Sequence, residues 1–296
     1  MSRNILSIDV EDYFQVEAFA GAISPSDWDR FDRRVENNTL RMLDLLDEQH
    51  AEATCFILGW VAERYPGLVR EIVSRGHEAA CHSYWHRRID RLTPDEFRDD
   101  TRRAKDAIEQ AAGVGIVGYR APSFSVTARS TWALEILVEA GFTYDSSIFP
   151  VHHDTYGIPG APRRPFRVDT PAGPIIEYPM STFRCAGQNL PVGGGGYLRM
   201  LPSWYTRLGI SRLKAESIPL IVYVHPWEID PQQPRVFDVL GGRAPWKSRL
   251  RHYTNLHKME NRLRDLLLAH APFSAFRDGG LEHSAVPADL ISRSLA

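Results

Sequence analysis

Residues 53–81 have the sequence ATCFILGWVAERYPGLVREIVSRGHEAAC, in which strand-like and helix-like stretches alternate. The apolar run at 53–58 predicts a strand, and the segment 77–81 is a second strand candidate. The sequence between them has the apolar spacing of helices at 60–65 and 67–75. A strand, a helical crossover and a second strand are typical of parallel strands in one sheet.

The same alternation continues on both sides of this segment. Strands are predicted at 4–9, 118–120 and 220–224, and helices at 39–49, 94–112, 130–140 and 256–269. The helix at 94–112 has the clearest start, because Thr93 is an N-cap residue, Pro94 suits the first turn and Glu96 completes a capping box. Alternating strands and helices predict an α/β fold in which helices surround a parallel sheet or barrel.

Length and composition favour one domain rather than two. The chain has 296 residues, of which 43% are hydrophobic, and this is enough for a sizeable core. We expect one barrel-like domain over 1–280 and a C-terminal tail over 281–296. Residues 150–200 are rich in proline and glycine, include the run Gly193–Gly196, and are expected to form a long loop insertion.

The charge balance and the cysteines narrow the class of protein. The 35 Lys and Arg residues nearly balance the 37 Asp and Glu residues, and the formal net charge of -2 argues against a nucleic-acid-binding surface. The apolar runs are too short to cross a membrane, and the acids within 9–12 interrupt any apolar leader. Three widely spaced cysteines indicate reduced thiols, so a cytoplasmic location is expected.

Two histidines four residues apart follow the end of a predicted strand. His82 and His86 could direct two imidazoles at one ion from a helix or a tight turn, and neutral imidazole suits Zn²⁺ and similar metals. Barrel enzymes carry their active-site groups at such strand ends. The alternative is a coincidental pair on the surface.

Three carboxylates lie at the end of the first predicted strand. Asp9, Glu11 and Asp12 would repel one another unless a cation or an arginine lies among them. The alternative is a solvated acidic turn in which Asp12 caps the next segment. Because parallel strand ends converge on one face, a carboxylate could meet the two histidines there and leave positions open for water and substrate on a metal.

Arg120 and His225 each end a further predicted strand. Arg120 precedes Pro122 and could hold a carboxylate in position, or it could form a surface ion pair. His225 follows the apolar run at 220–224 and could act as a general acid or be a structural residue.

In this order the motifs resemble those of the polysaccharide deacetylase family, metal-dependent carbohydrate esterases that include chitooligosaccharide and peptidoglycan deacetylases. The resemblance runs from about Ile5 to Phe276 and implies a distorted (β/α) barrel of about seven strands. The segments Asp9–Phe14 and Asp145–Pro150, together with the glycine run, further resemble the deacetylases of exopolysaccharide biosynthesis loci associated with bacterial protein-sorting systems.

The resemblance implies a role for each candidate residue. Asp9 is similar to the catalytic base, and because Val10 stands at the usual position of the metal carboxylate, Glu11 and Asp12 both remain candidates for that ligand. The fourth motif, an Asp before a Trp, is only partly kept at Asp145. The other implied roles are two metal ligands in His82 and His86, an orienting group for the base in Arg120, a general acid in His225, an oxyanion-stabilising backbone N–H at Ser123, and substrate contacts from Phe124 and Trp227.

The implied activity is the metal-assisted removal of N-acetyl groups from a bacterial polysaccharide or its precursor, with release of acetate. A divalent metal is the expected cofactor, with Zn²⁺ first, and an N-acetylated glycan is the expected partner. No nucleic acid and no transmembrane segment are expected, and a homo-oligomer is compatible with the sequence. Two alternatives stay open: an allantoinase-like hydrolase of a small cyclic amide or ureide, and an inactive carbohydrate-binding homologue that no longer holds metal.

Overall fold

The computed structural model describes residues 3–153, 156–236, 246–278 and 284–287. Within these ranges the strands are β1 (Asn4–Val10), β2 (Thr54–Ile57), β3 (Glu78–Cys81), β4 (Gly118–Tyr119), β5 (Tyr144–Asp145), β6 (Phe166–Thr170), β7 (Gly173–Glu177), β8 (Thr182–Cys185), β9 (Gln188–Pro191), β10 (Ile221–Val224), β11 (Phe273–Ser274) and β12 (Ser284–Pro287). The helices are α1 (Val35–Glu48), α2 (Gly59–Arg64), α3 (Pro66–Ser74), α4 (Pro94–Ala112), α5 (Trp132–Glu139), α6 (Gly195–Met200), α7 (Ser203–Ala215), α8 (Trp246–Tyr253) and α9 (Leu256–His270). Each strand and helix predicted from the sequence is present, with its ends shifted by a few residues at most.

Seven of these strands are parallel neighbours. Hydrogen bonds join them in the order β10-β1-β2-β3-β4-β5-β7, and every adjacent pair in that series runs parallel. Antiparallel β6 follows β7, β12 pairs with β6, and β11 pairs with the start of β1. The order confirms the predicted α/β class and the parallel strands expected of a distorted (β/α) barrel.

The central strands are buried on both faces. In β1 every residue from Ile5 to Val10 is buried, and β2, β3 and β10 are buried along their whole lengths. Burial of both faces is typical of parallel sheets covered by helices. In the helical layer, α4 starts and ends as its sequence dictates: Thr93 and Glu96 form the capping box, and Gly113 ends the helix with a left-handed φ of 71°.

The segment 150–200, expected as long loops, contains β6 to β9 and α6. Phe166 and Val168 of β6 are buried while Arg167 and Asp169 are exposed, the alternation of a strand with one buried face. β8 and β9 form a separate antiparallel pair. The glycines and prolines of this segment lie mostly in the turns between short strands, and they obscured the strand pattern. Of the predicted tail over 281–296, residues 284–287 form β12, and the rest lies outside the described residues.

Within the described residues, none of the helices has both the length and the apolar character required to cross a bilayer.

Candidate active site

The predicted site residues meet at one edge of the sheet. Because β10, β1, β2, β3 and β4 are parallel neighbours, their carboxyl ends lie along the same edge. Asp9 lies near the end of β1, His82 directly follows β3, Arg120 directly follows β4, and His225 directly follows β10. Residues that are far apart in the chain are thereby brought together.

Glu11, His82 and His86 form a compact group of buried side chains. One ligand atom of each lies within 4.8 Å of the others. His86 Nε2 is 2.8 Å from Glu11 Oε2. His82 Nδ1 lies 2.9 Å from the carbonyl oxygen of Arg120, and an N–H that donates to this carbonyl leaves the lone pair on Nε2.

The electrostatics of this group suit a cation. Burial raises the pKa of Glu11, but the neighbouring His86, His225 and His82 outweigh burial and lower that pKa to about 2. Burial lowers the pKa of His82 to about 4. An ionised carboxylate and a neutral imidazole are the protonation states that metal ligation needs. One carboxylate and two imidazoles therefore fit a divalent ion such as Zn²⁺ and leave positions open for substrate.

Asp12 does not join this group, although the sequence left it as a candidate ligand. Its carboxylate accepts hydrogen bonds from the backbone N–H groups of Tyr13 at 3.0 Å, Arg34 at 2.7 Å and Val35 at 3.0 Å. Arg34 and Val35 stand at the start of α1, where N–H groups have no partner inside the helix. Glu11 is the carboxylate that faces the histidines, and Asp12 holds the helix start.

The two histidines lie in a tight turn, not on a helix. Ser83 and His86 have left-handed backbone conformations, with φ of 66° and 53°. Ser83 Oγ accepts a hydrogen bond from the N–H of His86 at 3.1 Å, and Asp100 on α4 accepts one from the N–H of Tyr84 at 2.8 Å. Side-chain hydrogen bonds of this kind stabilise a backbone conformation that most residues avoid, and here they aim both imidazoles at Glu11.

Arg120 holds Asp9 in place. Its Nη1 donates to Asp9 Oδ1 at 2.7 Å and to Ser7 Oγ at 2.8 Å. The other guanidinium nitrogens donate to the carbonyl oxygen and the hydroxyl of Ser146. Arg120 is fully buried and Asp9 is 3% exposed. A buried arginine that makes four hydrogen bonds is held in one place, so it fixes the orientation of the carboxylate and stabilises its charge.

His225 lies between the acidic residues of β1 and a second buried carboxylate. Its Nε2 is 3.9 Å from Asp9 Oδ2 and 3.6 Å from Glu11 Oε1, and its Nδ1 is 3.1 Å from Glu228 Oε2. Arg199 Nε donates to the other oxygen of Glu228 at 2.8 Å. Burial lowers the pKa of His225, but Glu228, Glu11 and Asp9 outweigh burial and raise that pKa to about 9. His225 is therefore protonated at neutral pH.

Trp227, for which the resemblance implied a substrate contact, packs mainly against neighbouring rings. The residue is only 6% exposed, and its ring stacks against His225 and His252, with centroids 5.1 and 4.2 Å apart. Its Nε1–H donates to Glu11 Oε1 at 3.3 Å. Because most of the ring is packed and its N–H is engaged, Trp227 positions Glu11 and offers a ligand only the small part of its surface that stays exposed.

Ser123 and Phe124 form the turn that follows β4, and both have left-handed φ values, 55° and 52°. Phe124 is buried, and its ring packs edge-on against Tyr223 with centroids 4.7 Å apart. Ser123 is half-buried and lies three residues beyond Arg120. Ser123 therefore stands at the edge of the sheet that carries the site, whereas Phe124 contributes to packing.

The glycine run lies against β10 and the residue that holds His225. A Cβ added at Gly194 would come within 2.7 Å of the Tyr223 ring, and one at Gly195 would lie 1.8 Å from Glu228 Oε2. Gly193 has a φ of +93°, and a Cβ there would meet the carbonyl oxygen of Ile221 at 2.7 Å. Only glycine allows the backbone to approach this closely.

Glu228 and Arg199 were not predicted as site residues from the sequence. Glu228 stands three residues after His225 in a capping box, and this local pattern is a signal that could have indicated it. No local pattern connects Arg199 with Glu228, because 29 residues separate them and their contact is tertiary.

Replacing Glu228 with glutamine is expected to move the alkaline limb of the pH profile. As a general acid, His225 must be protonated, so activity falls as pH rises through its pKa. Burial lowers the pKa of His225 and the Glu228 charge raises it. Loss of the Glu228 charge therefore lowers the pKa of His225. The alkaline limb of kcat/KM should therefore move to lower pH by about one unit or more, as measured in a pH series of hydrolysis rates.

The matched control is Glu216→Gln. Glu216 also accepts from an arginine, Arg163, but lies at the surface away from His225. Its replacement should leave the alkaline limb in place. An unchanged limb in Glu228→Gln would contradict the assignment of His225 as the acid.

The chain matches two protein families. Residues 28–144 match the family described as polysaccharide deacetylase, and this region contains His82, His86 and Arg120. Residues 146–278 match a domain of unknown function, DUF3473, which contains Arg199 and His225. The site is thus built from both regions together with β1, which precedes them.

Curated relatives match the chain in part. A peptidoglycan-N-acetylglucosamine deacetylase of Bacillus cereus is 30% identical over 98 residues, 33% of this chain and 36% of that protein. A peptidoglycan deacetylase of Helicobacter pylori is 30% identical over 137 residues, 46% of this chain and 45% of that protein. The chain spans less than half the length of each of these two relatives.

One solved structure shows the fold over nearly the whole chain. This structure, of a protein from Mycobacterium smegmatis described as a polysaccharide deacetylase, aligns with a TM-score of 0.57 and 22% identity over 93% of this chain and 87% of that chain. The family match, the curated relatives and this fold agree with the ordered motifs. Residues 28–144 therefore carry a polysaccharide deacetylase domain, and a DUF3473 region follows it over residues 146–278.

Proposed function

We propose that the protein is a metal-dependent hydrolase that removes N-acetyl groups from a bacterial polysaccharide or its precursor and releases acetate. The observation that carries the proposal is the group Glu11, His82 and His86, with His225 close to both Glu11 and Asp9. A ligand set beside a fixed carboxylate and a protonated imidazole has the parts that amide hydrolysis needs.

A divalent ion, with Zn²⁺ as the proposed metal, would be held by Glu11, His82 and His86, and when bound it would polarise the acetamide carbonyl and favour deprotonation of water. Trp227 keeps Glu11 in place through its indole N–H. Arg120 keeps Asp9 in place through its guanidinium. Both supports come from buried side chains, so the site is preorganised before substrate binds.

Two residues would move the protons. Asp9, oriented by Arg120, is proposed as the base that takes a proton from the attacking water. His225, protonated at neutral pH because of Glu228, is proposed as the acid that gives its proton to the leaving amine. The backbone N–H of Ser123, at the same edge of the sheet, is proposed as a donor to the oxyanion.

The alternatives have less support. An intact carboxylate–histidine group argues against a binding-only homologue that has lost its metal site. No feature of the described residues favours a small cyclic amide or ureide as substrate. All three cysteines are free thiols, and this supports the proposed cytoplasmic location. The bacterial polysaccharide that we propose as substrate includes exopolysaccharide.

The proposal is tested by acetate release from N-acetylated chitooligosaccharides and peptidoglycan fragments. Protein stripped by chelator should be inactive, and added Zn²⁺ should restore acetate release. His82→Ala should bind no metal and stay inactive in the same assay. If metal-loaded protein released no acetate from any substrate of such a panel, the deacetylase proposal would be overturned.

A further inference from the structure

A cavity of about 600 Å³ opens beside His225. Its walls come mainly from the DUF3473 region and are largely aromatic and aliphatic, including Tyr156, Leu190, Tyr197, Met200, Leu201 and Tyr205. His225, Trp227 and Glu228 also line it. The cavity has the volume and the apolar lining of small-molecule sites in proteins.

The cavity lies next to His225, the residue proposed to protonate the leaving amine. His225 Nε2 is 3.6 Å from Glu11 Oε1, while the same imidazole lines the cavity. His225 therefore adjoins both the candidate metal ligands and the cavity. Because His225 is the proposed donor to the leaving amine, the part of the substrate that carries this amine is the part that adjoins the cavity.

The cavity is also lined by His153, Arg199, Arg251 and His252, and the remainder of its wall consists mainly of rings and alkyl groups. The hydroxyls of Tyr156 and Tyr197 are 3.0 Å apart and form a hydrogen bond. The Tyr205 hydroxyl donates to the carbonyl oxygen of Pro191 at 3.0 Å. A sugar ring buried against this wall would find fewer hydrogen-bond partners than in water, which costs free energy, whereas an apolar group would gain.

We infer that this cavity binds an apolar aglycone of the substrate, so that the enzyme acts on an N-acetylated sugar linked to an apolar group. The inference rests on the proposed deacetylase function for the orientation of the substrate. The cavity itself is defined by its volume and its lining. The acetamide lies at Glu11, His82 and His86, and the apolar group lies among Tyr156, Tyr197 and Met200.

Two synthetic ligands test the inference directly. The dissociation constants of octyl and methyl 2-acetamido-2-deoxy-β-D-glucopyranoside are compared by calorimetry, below the micelle concentration of the octyl compound. We expect the octyl glycoside to bind at least about tenfold more tightly, because its chain leaves water for the cavity. Octyl glucoside, which lacks the acetamide, should bind more weakly than the octyl acetamido sugar.

Gly196 offers a variant that fills the cavity. It lines the cavity, and an added Cβ would meet no atom within 4 Å. The octyl preference is the ratio of the dissociation constant of the methyl glycoside to that of the octyl glycoside. Gly196→Leu should reduce this preference to about threefold or less, since the new side chain takes space that the alkyl chain needs. Met200→Asn, at a residue that is 46% exposed, is a second variant expected to reduce the preference.

The matched control is Gly21→Leu. Gly21 also has open space around an added Cβ and does not line the cavity, so the octyl preference should remain. Equal affinity for the two glycosides, or an unchanged preference in both Gly196→Leu and Met200→Asn, would overturn the inference.

Measuring acetate release from both glycosides distinguishes a failure of the cavity assignment from a failure of the deacetylase proposal. Release from the methyl glycoside without any octyl preference would leave the deacetylase proposal standing and overturn the cavity assignment. An octyl preference that Gly196→Leu removes, without acetate release from either compound, would support the cavity assignment and count against the deacetylase proposal.

Discussion

Glu11→Gln is expected to abolish metal binding and to lower deacetylation by about a thousandfold or more. The glutamine has nearly the same shape but lacks the charge that would pair with a cation beside His82 and His86. Metal content is measured by mass spectrometry, and acetate release is measured on the same samples. These two measurements test the loss of metal binding and the loss of deacetylation.

Asp12→Asn is the matched control for Glu11→Gln. Both residues are buried acids of the same turn, but the Asp12 carboxylate accepts hydrogen bonds from the backbone N–H groups of Tyr13 and of Arg34 and Val35 at the start of α1. Its replacement turns an oxygen that accepts hydrogen bonds into an amide donor and should cost about 1–3 kcal/mol of unfolding free energy. Metal content should be retained. Loss of metal in Asp12→Asn with retention in Glu11→Gln would reverse the assignment.

Asp9→Asn is expected to lower the hydrolysis rate by about a hundredfold to ten-thousandfold while the protein still binds metal. An amide at this position cannot accept a proton from water, but Asp9 is not part of the Glu11, His82 and His86 group. The expected result is thus a fall in kcat with the metal content near one ion per chain.

Measuring the free energy of unfolding of Asp9→Asn distinguishes a loss of folded protein from a loss of catalysis. Asp9→Asn leaves the buried Arg120 guanidinium without its counter-charge, which should cost about 3–5 kcal/mol of unfolding free energy. Rates are therefore compared below the unfolding temperature of the variant. Full activity in folded, metal-loaded Asp9→Asn would show that another group acts as the base.

The arrangement of the site explains why its parts are individually sensitive. Each reacting side chain is held by one buried partner: Asp9 by Arg120, His225 by Glu228, and Glu11 by Trp227. Preorganised partners cost no rearrangement when charge develops during the reaction. A change in a partner is therefore expected to affect the reaction even where the reacting residue itself is unchanged.

Local pattern predicted most of the fold and the identity of the main site residues. Alternating strands and helices gave the α/β class, and the capping box at Thr93 gave the start of α4. The positions of Asp9, His82, Arg120 and His225 at predicted strand ends were enough to expect them at one edge, since parallel strands carry their carboxyl ends together.

The segment 150–200 shows where local pattern was insufficient. Its strands are four or five residues long and are separated by turns, so period-two alternation spans too few residues to stand out from the prolines and glycines. These strands form through pairing with one another and with β5, and such pairing is not visible in the local sequence.

The sequence by itself determined which chemical groups are present and which end of the sheet carries them. Only the tertiary structure decided which acid faces the histidines, which partner orients His225, and that Trp227 contacts Glu11. The physical reason is that strand periodicity fixes positions along an element, whereas side-chain direction in the turns beyond a strand end depends on contacts with other elements. Asp12 turns to α1 because the unpaired N–H groups at the start of that helix require an acceptor, and this leaves Glu11 beside His82 and His86.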